Sequence, residues 1–184
     1  MRRGTVACIV PYAADDIDVY FDKTFANIEN DYQKDQQKIA RIDWGRLKDW
    51  FSAILKRSVR RYTRKYRLDK ADVKASVIME RPMINAERFK QSKNAARAFE
   101  ATLVVLEMLG LKDNYIIIDS KKWQHYFFGK DTVNLDLKEE SQKEGIRYLT
   151  SLGGKRHSEL CDLIRAHGDA DSLLISRYAL EKLV

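Results

Sequence analysis

The sequence predicts an α/β fold in which a mixed sheet carries helices on both faces. Three observations lead there. Apolar, β-rich runs occur at Thr5 to Val10, Val73 to Glu80 and Tyr115 to Ile118. Between and after them lie segments whose apolar residues recur at helical spacing. The resulting order is strand, strand, helix, strand, helix, strand, helices, an alternation that buries apolar stripes against a sheet. At 184 residues the chain reads most simply as one domain.

Thr5 to Val10 is ended by Pro11, and Ile17 to Phe25 alternates apolar and polar residues after the turn-like Ala14-Asp15-Asp16, so a β-hairpin is expected. The polar segment Glu29 to Lys38 reads as a loop. Trp44, Leu47, Phe51, Ile54 and Leu55 then repeat at helical spacing behind Asp43, a natural N-cap, giving a helix over residues 43–61. Val73 to Glu80 is the next strand, and Pro82 forces an exit from the ladder just past the carboxylate. Residues 87–109 carry Ala95, Ala96, Phe99, Thr102, Leu103, Leu106 and Leu109 on a helical face closed by Gly110. Tyr115 to Ile118 is a short buried strand, and Ser120 caps a short helix through Trp123 and Tyr126. Residues 137–151 are helical. Leu173, Leu174, Ile175, Tyr178, Leu180 and Leu183 form a last helix with Asp169 and Asp171 in its first turn.

Charge and cysteine content narrow the setting. Lys and Arg number 34 against 27 Asp and Glu, a net +7 that suits a polyanionic partner, nucleic acid first. Cys8 and Cys161 are far apart with no CxxC pair, which supports neither a disulfide framework nor a structural zinc site and fits a reducing cytoplasm. No run approaches the roughly eighteen apolar residues that span a bilayer, and no signal peptide is recognisable, so the expectation is a soluble cytoplasmic protein with no membrane partner. Gly153-Gly154-Lys155 lacks the rest of a P-loop, and neither GxSxG nor GxGxxG occurs.

Two acidic stations carry the chemistry. Glu80 ends a strand, and His167-Gly168-Asp169-Ala170-Asp171 opens an apolar helix. Mg²⁺ or Mn²⁺ takes oxygen ligands, and two such ions about 4 Å apart clamp the attacking and leaving oxygens of a phosphodiester. Glu80, Asp169 and Asp171 are therefore candidate metal ligands and catalytic residues, and His167, four before Asp171, shares its face on a helical path. Competing roles are ordinary ones. A first-turn acid such as Asp169 also caps a helix, and Glu80 also pairs with Arg81.

Ile78-Met79-Glu80-Arg81-Pro82-Met83, followed by Phe89-Lys90-Gln91-Ser92 and Ala95-Ala96-Arg97-Ala98-Phe99-Glu100, resembles the central region of phage-type RuvC-like Holliday junction resolvases. Asp169-Ala170-Asp171-Ser172-Leu173-Leu174-Ile175 is similar to their last acidic motif, and Ile117 through Gln124 to the strand and helix that join the two. The resemblance implies a ribonuclease H-like fold. It implies a Mg²⁺- or Mn²⁺-dependent endonuclease that nicks branched DNA, such as four-way junctions, as a homodimer in a bacterial or phage-infected cell. Glu80 would be the central ligand and Asp171 the last carboxylate. The family's further ligand lies about three residues before that Asp; here the third position back is Gly168, which leaves Asp169 and His167 as alternatives.

The family opens with a strand ending in a Gly-Ile-Asp-Pro-Gly-like motif whose Asp bridges the metals, whereas Thr5 to Val10 matches its second strand. The sequence therefore reads as starting just after the first catalytic Asp, and on that reading the chain as written folds or cleaves poorly. Asp15 and Asp16, at a hairpin tip, are turn residues and poor replacements. Two other functions stay open: a junction-binding protein that has lost catalysis, and another ribonuclease H-like enzyme such as an RNA–DNA hybrid nuclease.

Basic residues supply the DNA-binding candidates. Arg57, Arg60, Arg61 and Arg64 share one helical face, with Tyr62 and Tyr66 interleaved, and either bind phosphate or form a solvated helix end. Arg81, Arg88, Lys90 and Lys93 follow Glu80 closely and are the stronger candidates for holding a scissile phosphate. Phe89 falls where the family places a residue that wedges into junction bases, with core packing as its other role.

Overall fold

The computed structural model describes residues 5–30, 38–82 and 89–183, which form six strands, six α-helices and a short 3₁₀ turn. They divide into two compact units. One comprises Met1–Lys23, Ile78–Glu80 and Ile117–Val184; the other comprises Thr24–Val77 and Arg81–Ile116. Helix and strand are mixed in the chain, as the alternating pattern predicts.

In the first unit, β1 (Thr5–Ala13) and β2 (Asp16–Lys23) form the expected antiparallel hairpin, with Ala7 opposite Phe21 and Ile9 opposite Val19. The turn residues Ala14 and Asp15 close it locally, and the alternation decides which face is buried. Val19 and Phe21 pack with Leu149, Cys161, Ile164, Ala170 and Leu173, residues drawn from α4 (Leu137–Leu152), α5 (Lys155–His167) and the start of α6 (Asp171–Lys182). A second cluster joins Ile118, Trp123, Leu174 and Ile175, with Ile78 beside it. It gathers β5 (Val77–Glu80), β6 (Tyr115–Ile118) and α3 (Ser120–Phe128) onto α6. Helix α6 therefore serves both clusters: Leu173 enters one, and Leu174 and Ile175 the other.

The second unit holds the antiparallel pair β3 (Ala26–Asn30) and β4 (Lys38–Ile42), with α1 (Trp44–Tyr66) and α2 (Phe89–Met108). Asp43 caps α1 as expected: its Oδ1 accepts the Arg46 backbone N–H at 3.1 Å. Leu47 and Ile54 form the buried stripe, and α1 continues five residues beyond the expected end at 61 because nothing in Tyr62–Tyr66 breaks a helix.

Several expectations need correction. The described strands pair two by two, β1–β2, β3–β4 and β5–β6, instead of lying in one mixed sheet. Alternation shows that a segment is extended but not which edges meet. The segment 29–38, read as a loop, has strand at both ends: Glu29 pairs with Ile39 and Asn30 with Lys38. The strand expected over 73–80 is only Val77–Glu80, because Lys70–Asp72 forms a 3₁₀ turn just upstream. Ser120 is the first residue of α3, and Asp119 takes the extended cap position. Among the described residues no helix is long and apolar enough to cross a membrane.

Candidate metal centre

Helix α4 builds one wall of the site. Asp136 starts it by accepting the backbone N–H groups of Lys138 and Glu139 at 3.0 and 3.2 Å. Lys138, Ser141 and Gly145 then fall at i, i+3 and i+7, on one stripe of the helix. Gly145 lets that stripe approach the chain between α5 and α6: a Cβ at Gly145 would stand 2.7 Å from the Ala170 Cβ. The two aspartates flank Ala170. Sequence residues 138 and 141 are thus brought against 169 and 171.

The acidic motif itself is not a single helical turn. Helix α5 ends at His167, Gly168 turns the chain left-handed at φ 64°, and α6 begins only at Asp171. His167 and Asp171 therefore do not share a helical face, contrary to the expectation. A left-handed turn at the C-cap, which glycine adopts without steric penalty, ends the first helix. Ala170 takes the cap position of α6, and Asp169 just before it accepts the Asp171 N–H on its Oδ1 at 2.9 Å. His167 closes α5 with its Nε2 buried and without a hydrogen-bond partner.

The carboxylate oxygens are disposed in a definite way. Ser141 Oγ donates to Asp171 Oδ1 at 2.6 Å, so each aspartate has its Oδ1 held by a neutral donor. Both Oδ2 atoms are held by one cation, the Lys138 ammonium, which lies 2.9 Å from Asp169 and also contacts Asp171. Asp169 is buried and Asp171 partly so, and the pairing is correspondingly strong. Burial works to lower the Lys138 pKa, but the charges and hydrogen bonds of Asp171 and Asp169 outweigh it and hold it above the usual lysine value.

Glu80 enters from the end of β5. Its pKa is raised, first by burial and then by the negative charge of Asp171, while Trp123, Lys138 and Ser120 pull the other way. Of the two aspartates, Asp171 is the one whose charge acts on Glu80. Trp123 is fully buried, and its Nε1–H has no partner within hydrogen-bond geometry.

No family model matches the chain, and no curated protein does. The site is therefore judged on its own chemistry.

That chemistry suits a divalent cation. Three carboxylates from β5 and the α5–α6 junction supply hard oxygen donors. A stand-in cation, the Lys138 ammonium, already sits between Asp169 and Asp171. Among the described residues no three His, Cys, Asp or Glu side chains stand at metal-ligand spacing. With Lys138 in place, the Oδ2 atoms surround an ammonium.

The other candidates belong to the second unit. Arg57, Arg60 and Arg64 are exposed on α1 and Arg61 is half-buried, so the shared basic face is present, with Tyr62 and Tyr66 rings 5.6 Å apart beside it. Arg81 is exposed directly after Glu80, and Lys93 on α2 is half-buried. Phe89 and Lys90 open α2, with side chains outside the description, and Arg88 lies outside the described residues. Sequence reasoning missed Lys138 and Ser141. The i, i+3, i+7 run of Lys138, Ser141 and Gly145 was the available signal, two small residues behind a lysine on an otherwise charged helix.

Proposed function

We propose that this chain is a metal-dependent endodeoxyribonuclease of the ribonuclease H-like, RuvC-like kind, acting on branched DNA such as four-way junctions, as a homodimer. What supports the reading is that Asp169 and Asp171 already share one cation, the Lys138 ammonium, and that the Asp171 charge acts on Glu80. A bound Mg²⁺ or Mn²⁺ would supply charge stabilisation at the scissile phosphate. Glu80, Asp169 and Asp171 are the residues that would hold it.

The chain's own groups divide the remaining work. Ser141 and the Asp171 backbone N–H orient the two aspartates, fixing which oxygens face the cation. The Lys138 charge and the Ser120 hydroxyl favour the ionised form of Glu80, which a ligand must adopt. The exposed guanidinium groups of Arg57, Arg60 and Arg64 suit backbone phosphates, and the excess positive charge draws DNA in.

The test is nicking of a four-way junction by the full chain and by Glu80→Gln. The reading expects symmetric nicks from the parent, and junction binding without cleavage from the variant. Unchanged cleavage by Glu80→Gln would sink the mechanism. A second reading, a junction-binding protein without catalysis, draws on the same salt bridges: an ammonium locked between Asp169 and Asp171 would fill the cation position permanently. Absence of cleavage by the parent, with tight junction binding, favours it.

A further inference from the structure

We propose that Lys138 is a displaceable resident counter-ion, so that a divalent cation enters the centre by expelling its ammonium from between Asp169 and Asp171. The inference rests on the metal-dependent reading above and adds how that site is filled. Lys138 acts through the aspartates and is a positioning residue.

Three observations carry it. First, the two aspartates present four oxygens, and the two bound by neutral donors are held independently of the lysine: Asp171 Oδ1 by Ser141 at 2.6 Å and Asp169 Oδ1 by the Asp171 N–H at 2.9 Å. Removing the ammonium leaves these contacts intact and frees only the two Oδ2 atoms. Second, the lysine can leave. Its side chain is 36% exposed, and its flexible stem gives the ammonium a path to water. Third, the charges require some cation. Asp169 and Asp171 bring two carboxylates to a single ammonium. Lys138 offsets one of them, and a divalent ion in its place offsets two.

The sign of the effect separates this role from a merely structural one. A lysine that only props up the site would lower metal affinity when lost, whereas a competing ammonium would raise it. The experiment is calorimetric titration of Mn²⁺ into the metal-free full chain, comparing the parent with Lys138→Met and Lys138→Arg, alongside thermal unfolding with and without Mn²⁺. Lys138→Met is expected to bind Mn²⁺ about tenfold more tightly or better, since the ion no longer breaks charged hydrogen bonds. It should melt below the parent without metal and recover most of that deficit with saturating Mn²⁺. Lys138→Arg, which keeps the charge, should bind no more tightly than the parent. Should the methionine variant fail to fold, Lys138→Gln carries the same expectation. If the parent binds Mn²⁺ and the charge-removed variant binds equally or less tightly, the counter-ion proposal fails and the nuclease reading stands. If neither binds Mn²⁺, both fail.

Discussion

Gly145→Ala adds one methyl group at the point where α4 meets the chain between the two aspartates. An ideal Cβ there falls 2.7 Å from the Ala170 Cβ, 3.5 Å from Ile164 Cδ1 and 3.6 Å from Leu173 Cδ2. Carbons in good contact sit about 3.5–4.0 Å apart, so the Ala170 contact must open by roughly 1 Å. The obstructing atom is itself a Cβ, and no rotamer change moves it; the backbone of α4 or of the α5–α6 junction must give. Overpacking of this kind typically costs about 1–3 kcal/mol, and the better helix propensity of alanine returns about 1 kcal/mol. Because the relief requires backbone movement, a net loss of about 1–2 kcal/mol is expected. Urea unfolding followed by circular dichroism measures it. The same displacement shifts Asp169 and Asp171, which flank Ala170, so Mn²⁺ affinity should fall as well. A variant as stable as the parent, or more so, would refute the close approach and with it the account of how Lys138 and Ser141 reach the aspartates.

Other expectations follow from the same contacts. Burial and Asp171 raise the Glu80 pKa, so the folded protein holds that proton more tightly than the unfolded chain; charged Glu80 opposes folding above its folded pKa, and the opposition disappears below the unfolded value of about 4.3. Glu80→Gln should therefore raise the metal-free melting temperature at pH 8, with the gain vanishing by about pH 4; a loss at pH 8 contradicts this. Arg177 donates to Glu144 at 2.8 Å and to Glu181 at 2.6 Å and lies over the rings of Phe127 and Tyr148. Arg177→Ala leaves the buried Glu144 with Arg147 alone and should cost about 2–4 kcal/mol in denaturant unfolding, whereas a loss under about 0.5 kcal/mol would count against the network. Replacing the exposed Arg57, Arg60 and Arg64 together by alanine should flatten the log–log salt dependence of junction binding by about three units, and an unchanged slope would remove α1 from the DNA surface.

Local signals carried much of the fold. The β1–β2 hairpin, β6 and the span of α4 follow from alternation, a turn and periodicity, and Asp43 caps its helix where the pattern placed it. What escaped was set by glycine and by tertiary approach. Helix α5 hides behind Gly153-Gly154, and its apolar residues Leu160, Cys161 and Ile164 sit among charged neighbours. Gly168 then splits what looks like one helical start, which separated His167 from Asp171. Glu80, Asp169 and Asp171 stood out in the sequence as ionisable groups at element ends, which are legible singly. Lys138 was not: a lysine in the first turn of a charged helix ordinarily faces water, and only the closeness permitted by Gly145 turns it inward.

The most direct measurement of the central claim is metal-site mapping by Fe²⁺ in place of Mg²⁺, with hydrogen peroxide as oxidant and ascorbate as reductant, which produces radicals that cut a polypeptide beside the bound ion. The account predicts cuts next to Glu80 and around Asp169 and Asp171, suppressed by excess Mg²⁺ and by Asp171→Asn. Cuts confined to other segments, or cuts at these residues that excess Mg²⁺ leaves unchanged, would contradict it.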